Sequence, residues 1–260
     1  MTQDTLGLFI MGTDTNVGKT LVSCSLVRWL RAAGIDGVGF KPVATGEVPG
    51  EWSDAVGLHE ASGCCEPIER ICPFRFKLAV APTIAARHEG IEADINLARW
   101  AVSELCSRHK AVIVEGVGGV LAPLDEDTLV LDFAVQLGFP ILLVCRASLG
   151  TINHTLLSLR EIERSQLPLA GIVMNVTQAS DMPMVDETIA EIERISKRKI
   201  SAVIPYLAHV KNGPAPTRTA MFARAMASLE GQMDLKRLLG LEGRRKKNTT
   251  RRLDRKLRLD

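Results

Sequence analysis

The residues whose types and spacing most clearly predict chemistry lie in a glycine-bounded loop near the start of the chain. Gly12 and Gly18 enclose five residues, and Lys19 and Thr20 follow directly. Glycines let backbone N–H groups turn toward an anion, a following lysine reaches terminal phosphates, and a hydroxyl suits Mg²⁺. The common phosphate-loop pattern has four residues between its glycines. Because a strand-like run precedes the loop and a helical pattern follows it, we predict a phosphate loop rather than a chance glycine turn.

Two carboxylates are candidate ligands for that metal ion. Glu115 ends an apolar strand, at the sheet edge where ligands bind. A carboxylate there is costly unless it meets a cation, so we favour a Mg²⁺ ligand over a loop salt bridge. Asp54 follows Trp52 and Ser53. Taken alone, its setting favours a helix N-cap over a metal ligand.

Three further positions follow apolar strands. Lys41 could stabilise developing phosphoryl or carbamate charge, or could equally be an ordinary lysine with a packed stem. Asn175 could read a base edge through its amide, or could form a turn. Residues 148–154 (SLGTINH) resemble a helix start, whose free N–H groups suit a carboxylate.

Short apolar runs and helical patterns must position these groups. The expected strands are Leu6–Met11, Gly37–Phe40, Ala111–Val114, Pro140–Cys145, Ala170–Asn175 and Lys199–Ile204. Thr20–Ala33 and Ile95–Arg108 carry helical periodicity. Uniformly apolar strands that alternate with helices are typical of a parallel sheet covered on both faces. We therefore predict an α/β fold of the P-loop NTPase type, with its site at the carboxyl ends of the strands.

Composition limits the class of protein. With 260 residues and 46% hydrophobic content, the chain can bury a full core, and we predict one domain over residues 1–240. It has no apolar run of roughly 18 residues and no secretory signal at its start, so we expect a cytoplasmic protein without a membrane span. The six cysteines form no CxxC pair. We expect buried or free thiols rather than disulfides.

The net charge of +2 conceals a basic C-terminal segment. Residues 244–260 carry nine Lys/Arg against two Asp, a local +7, which leaves −5 for residues 1–243. We predict that 241–260 is a solvated, disordered appendage. A nucleic-acid arm is less favoured because no aromatic residue interleaves the charges. A helix that packs on a neighbouring subunit is a third interpretation.

In order from about residue 6 to residue 212, the chain resembles the dethiobiotin synthetase family. The matching segments are GTDTNVGKT (12–20), KPVATG (41–46), SDA (53–55), APTIAA (81–86), VEGVGGVLAPL (114–124), SLGTINH (148–154), MNV (174–176) and IPYL (204–207). The five-residue gap in the phosphate loop is this family's own variant. The combination is far more specific than the phosphate loop alone.

The resemblance implies a role for each matching position. Lys19 and Lys41 are the implied catalytic lysines, and Thr20, Asp54 and Glu115 the implied Mg²⁺ ligands. The implied nucleotide-binding positions are Asn16, Val17, Gly18, Lys19, Thr20, Leu21, Asp54, Glu115, Gly116, Val117, Gly118, Asn175, Val176, Pro205, Tyr206, Leu207 and Asn212. The implied diamine-binding positions are Thr45 and, across a homodimer interface, Gly150, Thr151, Ile152 and Asn153.

The reaction that the resemblance implies joins 7,8-diaminononanoate and CO₂ at the expense of ATP, giving dethiobiotin, ADP and phosphate. Two other P-loop classes are alternatives. A cobyrinate-type amidotransferase would bring a glutaminase domain, for which the chain has no room. A partitioning or positioning ATPase that acts on DNA or membrane usually has a second lysine early in its phosphate loop, and Gly12, Thr13 and Asp14 supply none.

Overall fold

The computed structural model describes residues 5–48, 51–207 and 217–241. Within these ranges the strands are β1 (Leu6–Gly12), β2 (Gly37–Phe40), β3 (Val43–Thr45), β4 (Phe74–Phe76), β5 (Ala111–Glu115), β6 (Ile141–Arg146), β7 (Leu169–Asn175) and β8 (Ala202–Ile204). Six of them form one parallel sheet in the order β2-β5-β1-β6-β7-β8. β3 and β4 pair separately, also in parallel.

Helices connect most of these strands. Over the same ranges they are α1 (Lys19–Ala32), α2 (Ser53–Ala61), α3 (Ile68–Ile71), α4 (Pro82–Glu89), α5 (Ile95–Arg108), α6 (Val130–Leu137), α7 (Thr151–Arg164), α8 (Val185–Ser196), α9 (Arg218–Glu230) and α10 (Leu235–Leu238). A 3-10 helix, Ala179–Met184, precedes α8. None of these helices is long and apolar enough to cross a lipid bilayer, as far as the described ranges reach.

Alternate residues of the central strands point to two separate hydrophobic cores. On β1, Phe9 and Met11 join the core that α5, α6, α7 and α8 cover, whereas Leu8 and Ile10 join the core that α1, α2, α9 and α10 cover. Both faces of the strand are therefore buried, which is why its sequence is a continuous apolar run. The predicted α/β fold of P-loop NTPase type, with helices on both faces of a parallel sheet, is confirmed.

The connections open a crevice at the carboxyl edge of the sheet. β1 continues into α1 on one face, while its neighbours β5 and β6 continue into α6 and α7 on the other. Chains that leave adjacent strand ends in opposite directions create the site where ligands of open α/β sheets bind.

Most predicted elements are confirmed. β2 and α5 have the predicted bounds. β1, β5 and β7 differ by one residue at one end, and α1 and β6 differ by one residue at both ends. The strand predicted over Lys199–Ile204 is wrong in its first half, because β8 begins at Ala202. Lys199 instead pairs with Glu193 of α8, and the Ser201 hydroxyl accepts a hydrogen bond from the Ile172 amide of β7.

Two features escaped sequence reasoning. β3 and β4 are three-residue strands, too short to show a period. The N-cap interpretation of Asp54 is wrong, because Trp52 is the residue that precedes α2 and Asp54 lies inside its first turn. Within the described ranges, no disulfide bond joins any of the six cysteines, in agreement with the prediction. Apart from Leu241, the predicted basic tail lies outside the described residues.

Candidate active site

The loop after β1 has the backbone conformation of an anion cradle. Asn16 and Gly18 adopt positive φ angles of 58° and 101°, and Gly18 is the N-cap of α1. A Cβ atom at Gly18 would lie 2.2 Å from Nδ2 of Asn175, so only glycine fits there. Val17 is buried beneath the loop. The glycine that sequence reasoning placed before Lys19 is therefore required both for its φ angle and for space.

Lys19 reaches back over the loop. Its Nζ donates to the carbonyl of Asp14 at 2.9 Å and to the carbonyl of Gly118 at 2.7 Å. Burial, together with the nearby charge of Lys41, lowers the pKa of Lys19 to about 8, although the charges of Glu115, Asp54 and Asp14 oppose this change. A buried ammonium group whose hydrogen-bond partners are neutral carbonyls gains the most from a phosphate anion.

Thr20, Lys41, Asp54 and Glu115 converge on one point beside Lys19. The Thr20 hydroxyl lies 2.8 Å from an oxygen of Asp54 and 2.8 Å from an oxygen of Glu115. Lys41 Nζ lies 2.8 Å from Asp54 Oδ2 and 2.7 Å from Glu115 Oε1. Four chain segments thus meet at this point. Because the ammonium group of Lys41 is buried and paired, the alternative of an ordinary lysine with a packed stem is excluded.

The burial of these groups sets their charges. The side chain of Glu115 is fully buried, and this burial raises its pKa even though Lys41 opposes the change. The side chain of Asp54 is 39% exposed, and the charge of Lys41 lowers its pKa. Burial alone would lower the pKa of Lys41, but the two carboxylates outweigh it and raise the pKa above its ordinary value.

The donor set fits Mg²⁺. The Thr20 hydroxyl lies 2.8 Å from an oxygen of each carboxylate, close to the roughly 3.0 Å between neighbouring oxygen ligands in an octahedral shell of about 2.1 Å radius. Glu115 Oε2 is buried without a hydrogen-bond partner among the described residues. The described ranges contain no group of three or more His, Cys, Asp or Glu side chains that would hold a metal alone. A site with two carboxylates is typical of Mg²⁺ that also binds phosphate and water.

Five of the implied nucleotide-binding positions lie at the ends of β7 and β8. Asn175 pairs in register with Ile204, and the Val176 amide donates to the Ile204 carbonyl at 2.9 Å. Pro205, Tyr206 and Leu207 follow directly, at the same edge. The Asn175 amide nitrogen donates to the Val17 carbonyl at 3.0 Å, so this side chain also supports the phosphate loop. Its contact with a base stays a prediction, and Asn212 lies outside the described residues.

The remaining predicted positions lie around this edge. Gly116, Val117 and Gly118 continue from β5 beside the phosphate loop, and the Gly116 amide donates to the Ile10 carbonyl at 2.9 Å. Leu21 lies in the first turn of α1. Thr45 ends β3, which begins shortly after Lys41.

The segment predicted to receive a carboxylate is a helix start. Gly150, with φ of 90°, is the N-cap of α7, and Thr151 is its first residue. Thr151 is buried, Ile152 half-buried and Asn153 exposed. A cavity of about 300 Å³ adjoins this turn, lined partly by Asp181 and Met184 of the neighbouring 3-10 helix.

One polar contact at the site has no counterpart in the sequence-based prediction. Arg146, the last residue of β6, places Nη2 3.2 Å from Oδ2 of Asp14 in the phosphate loop. The available signal was that an apolar strand ends in an arginine at the ligand-binding edge. The pairing itself spans 132 positions and required the tertiary structure.

Comparison with known proteins identifies the family. The ATP-dependent dethiobiotin synthetase BioD of Anaeromyxobacter dehalogenans (strain 2CP-C) is 51% identical over 200 residues, which cover 77% of this chain and 90% of that protein. The chain belongs to the dethiobiotin synthetase family. The synthetase of the same name from Aromatoleum aromaticum is 38% identical over 220 residues, or 83% of this chain and 96% of that one. The AAA domain family also matches, over residues 6–214.

The fold of the family is shared more widely. The MinC:MinD cell division protein complex of Aquifex aeolicus contains a chain that superposes with a TM-score of 0.51 and 15% identity, covering 87% of this chain and 96% of that one. At this identity the likeness concerns the fold alone. The family membership therefore rests on the synthetases, whose alignments span most of both chains.

Proposed function

We propose that this protein closes the ureido ring of dethiobiotin from 7,8-diaminononanoate, CO₂ and ATP. The observation that carries the proposal is the meeting of Lys19, Lys41, Thr20, Asp54 and Glu115 at the end of a phosphate loop. Phosphoryl transfer needs mainly positioning and positive charge, and these residues supply both. The family's name states the ATP dependence and the product.

The reaction divides into three steps. One substrate amine attacks CO₂ and loses a proton, which forms a carbamate. A carbamate oxygen then attacks the γ-phosphorus of ATP, whose bond to the bridging oxygen of ADP breaks. The second amine attacks the carbonyl carbon of this mixed anhydride, the bond to the phosphate oxygen breaks, and an amine proton is lost as the ring closes. Each step either forms or transfers negative charge on oxygen, which is where cationic side chains lower the barrier.

The chain's own residues orient and stabilise these charges. When ATP binds, Lys19 exchanges its two carbonyl partners for phosphate oxygens. The negative charge of these oxygens stabilises the protonated form of Lys19, which burial disfavours. Lys41 stays ionised because two carboxylates hold it, and it lies beside the loop where the carbamate must approach the γ-phosphate. Thr20, Asp54 and Glu115 would hold Mg²⁺, whose positive charge would offset that of the phosphate oxygens when bound.

We further propose that the enzyme acts as a homodimer, in which Gly150, Thr151, Ile152 and Asn153 of one copy receive the substrate carboxylate held by the other. Leu149, next to this helix start, is fully exposed. Leu121 and Leu157 are each 54% exposed, and they line one cavity together with Asp14 of the phosphate loop. Apolar side chains grouped at a surface favour a protein contact there. Light scattering of the wild type and of Leu157→Glu tests this proposal: a monomeric wild type would contradict it.

The decisive experiment measures dethiobiotin by mass spectrometry after incubation with ATP, Mg²⁺, bicarbonate and diaminononanoate. We expect product in the full mixture, ATP turnover that depends on the diamine, and a loss of at least about a hundredfold in Lys41→Ala or Glu115→Ala. Lys199→Ala, which alters an exposed lysine outside the site, is the matched control. ATP turnover that ignores the diamine but responds to DNA or lipid vesicles would instead favour the switch-ATPase alternative.

A further inference from the structure

The last residues of β6 and β7 contact the phosphate loop. These two strands lie on one side of β1 in the sheet, and β5 with Glu115 lies on the other side. Arg146 and Asn175 are the last residues of β6 and β7, and they are partners in the register of these parallel strands. Side chains at paired positions of a sheet lie on the same face. Asn175 Nδ2 donates to the Val17 carbonyl at 3.0 Å, and Arg146 Nη2 lies 3.2 Å from the Asp14 carboxylate. Each strand end therefore holds a different half of the loop.

Asp14 links Arg146 to two other groups of the phosphate loop. Its Oδ1 accepts a hydrogen bond from the Thr15 amide at 2.7 Å, and its carbonyl accepts one from Lys19 Nζ at 2.9 Å. The position of Asp14 thus sets the direction of the Thr15 amide and the resting place of the Lys19 ammonium group. A side chain that holds Asp14 also orders both of these groups.

Asp14 also presents an electrostatic problem. A carboxylate within a loop that binds a polyanion opposes binding, and the side chain of Asp14 is 42% exposed, so water screens its charge only in part. Arg146 brings a positive charge to this carboxylate from outside the loop. The side chain of Arg146 is itself 34% exposed, which leaves the pair free of the large desolvation cost of a buried salt bridge.

We propose that Arg146 is a positioning residue for ATP, which neutralises Asp14 and fixes the first half of the phosphate loop in its anion-binding conformation. This inference rests on the proposed use of the loop for ATP. It assigns to Arg146 no contact with the reacting atoms, because the guanidinium group acts through Asp14. The competing role is direct binding of the diamine's carboxylate by Arg146. In that case, replacing Arg146 would affect the diamine and not ATP.

The test is a suppression experiment on ATP affinity, measured by calorimetry with Mg²⁺ and a non-hydrolysable ATP analogue in the absence of diamine. Arg146→Gln is expected to weaken binding about three- to fivefold, the size of one partly exposed charge interaction. Arg146→Lys keeps the charge and is expected to stay within about twofold of the wild type. Asp14→Asn combined with Arg146→Gln is expected to restore most of the lost affinity, because no carboxylate remains to be neutralised while the acceptor for the Thr15 amide is kept.

Arg198→Gln is the matched control, because Arg198 pairs with Glu163 at a similarly exposed position far from the loop. It should leave ATP affinity unchanged. Unchanged affinity in Arg146→Gln, or no recovery in the double variant, overturns the proposal. A lower Tm of Arg146→Gln with normal ATP affinity would also overturn it, because Arg146 would then serve stability alone. A raised KM of this variant for the diamine with a normal KM for ATP would overturn it as well. Because binding is measured without ring closure, a wild type that binds the analogue but makes no dethiobiotin would refute the proposed function and not this inference.

Discussion

Replacing Lys41 by methionine should reveal how strongly the site depends on one shared cation. Methionine keeps most of the side-chain volume, so the change is chiefly the loss of charge. Two carboxylates, Asp54 and Glu115, then face each other without the ammonium group that lies 2.8 and 2.7 Å from them. Removing one partner of a buried ion pair costs about 3–5 kcal/mol. We expect the free energy of unfolding near pH 8 to fall by about 3 kcal/mol, the low end of this range, because Asp54 keeps part of its hydration.

The deficit should shrink as the pH falls. Burial already raises the pKa of Glu115, and loss of Lys41 removes the charge that opposed this rise. A carboxyl group whose pKa is higher in the folded than in the unfolded protein destabilises the fold where it must ionise, and the cost disappears as the pH falls through the folded-state pKa. This effect brings the variant closer to the wild type toward about pH 5. The stability that the lowered pKa of Asp54 contributes in the wild type is still present at that pH, because it is lost only as the pH falls below the ordinary value of 3.8.

Urea unfolding at about pH 8 and at about pH 5 measures this difference, and about 3 kcal/mol corresponds to a Tm lowered by roughly 6–12 °C. Lys199→Met, whose side chain is 86% exposed, is the control and should change little. Adding Glu115→Gln to Lys41→Met should recover stability but not ring closure. Wild-type stability of Lys41→Met near pH 8, or a deficit that grows at low pH, would refute the reasoning.

Three further outcomes follow from the site and the chain. Gly18→Ala forces a Cβ atom to within 2.2 Å of Asn175 Nδ2 at a φ of 101°, and should weaken ATP binding at least about tenfold by calorimetry. Gly90→Ala, at a positive φ but with open space around it, should leave that affinity unchanged, and equal effects would contradict the steric argument. Since burial lowers the pKa of Lys19 to about 8 in the free protein, ATP binding above that pH should take up a proton and weaken. Calorimetry in buffers of different ionisation enthalpy measures this uptake, and its absence would mean that Lys19 is already charged. Deleting residues 244–260 should leave dethiobiotin formation within about twofold; lost activity or dimerisation would make the segment structural.

Local sequence determined the elements of this fold. The apolar runs of β1, β5, β6 and β7 are visible because both faces of a central parallel strand are buried, so every position along it is constrained. The phosphate loop was equally visible, since one short segment carries both its glycines and its lysine. β3 and β4 left no such signal, because three residues show no period and the two strands stabilise each other across a long stretch of chain.

What the tertiary structure alone decided is which charges meet. Thr20 contacts Glu115 across 95 positions, Lys41 contacts Glu115 across 74, and Arg146 contacts Asp14 across 132. No local pattern encodes such distances, because they arise from the order of strands in the sheet. For Lys41, spacing left a surface lysine and an active-site lysine as equal alternatives, and its burial between two carboxylates excludes the surface lysine. For Arg146, the sequence showed only an arginine at a strand end, and the parallel register beside the phosphate loop supplied its partner.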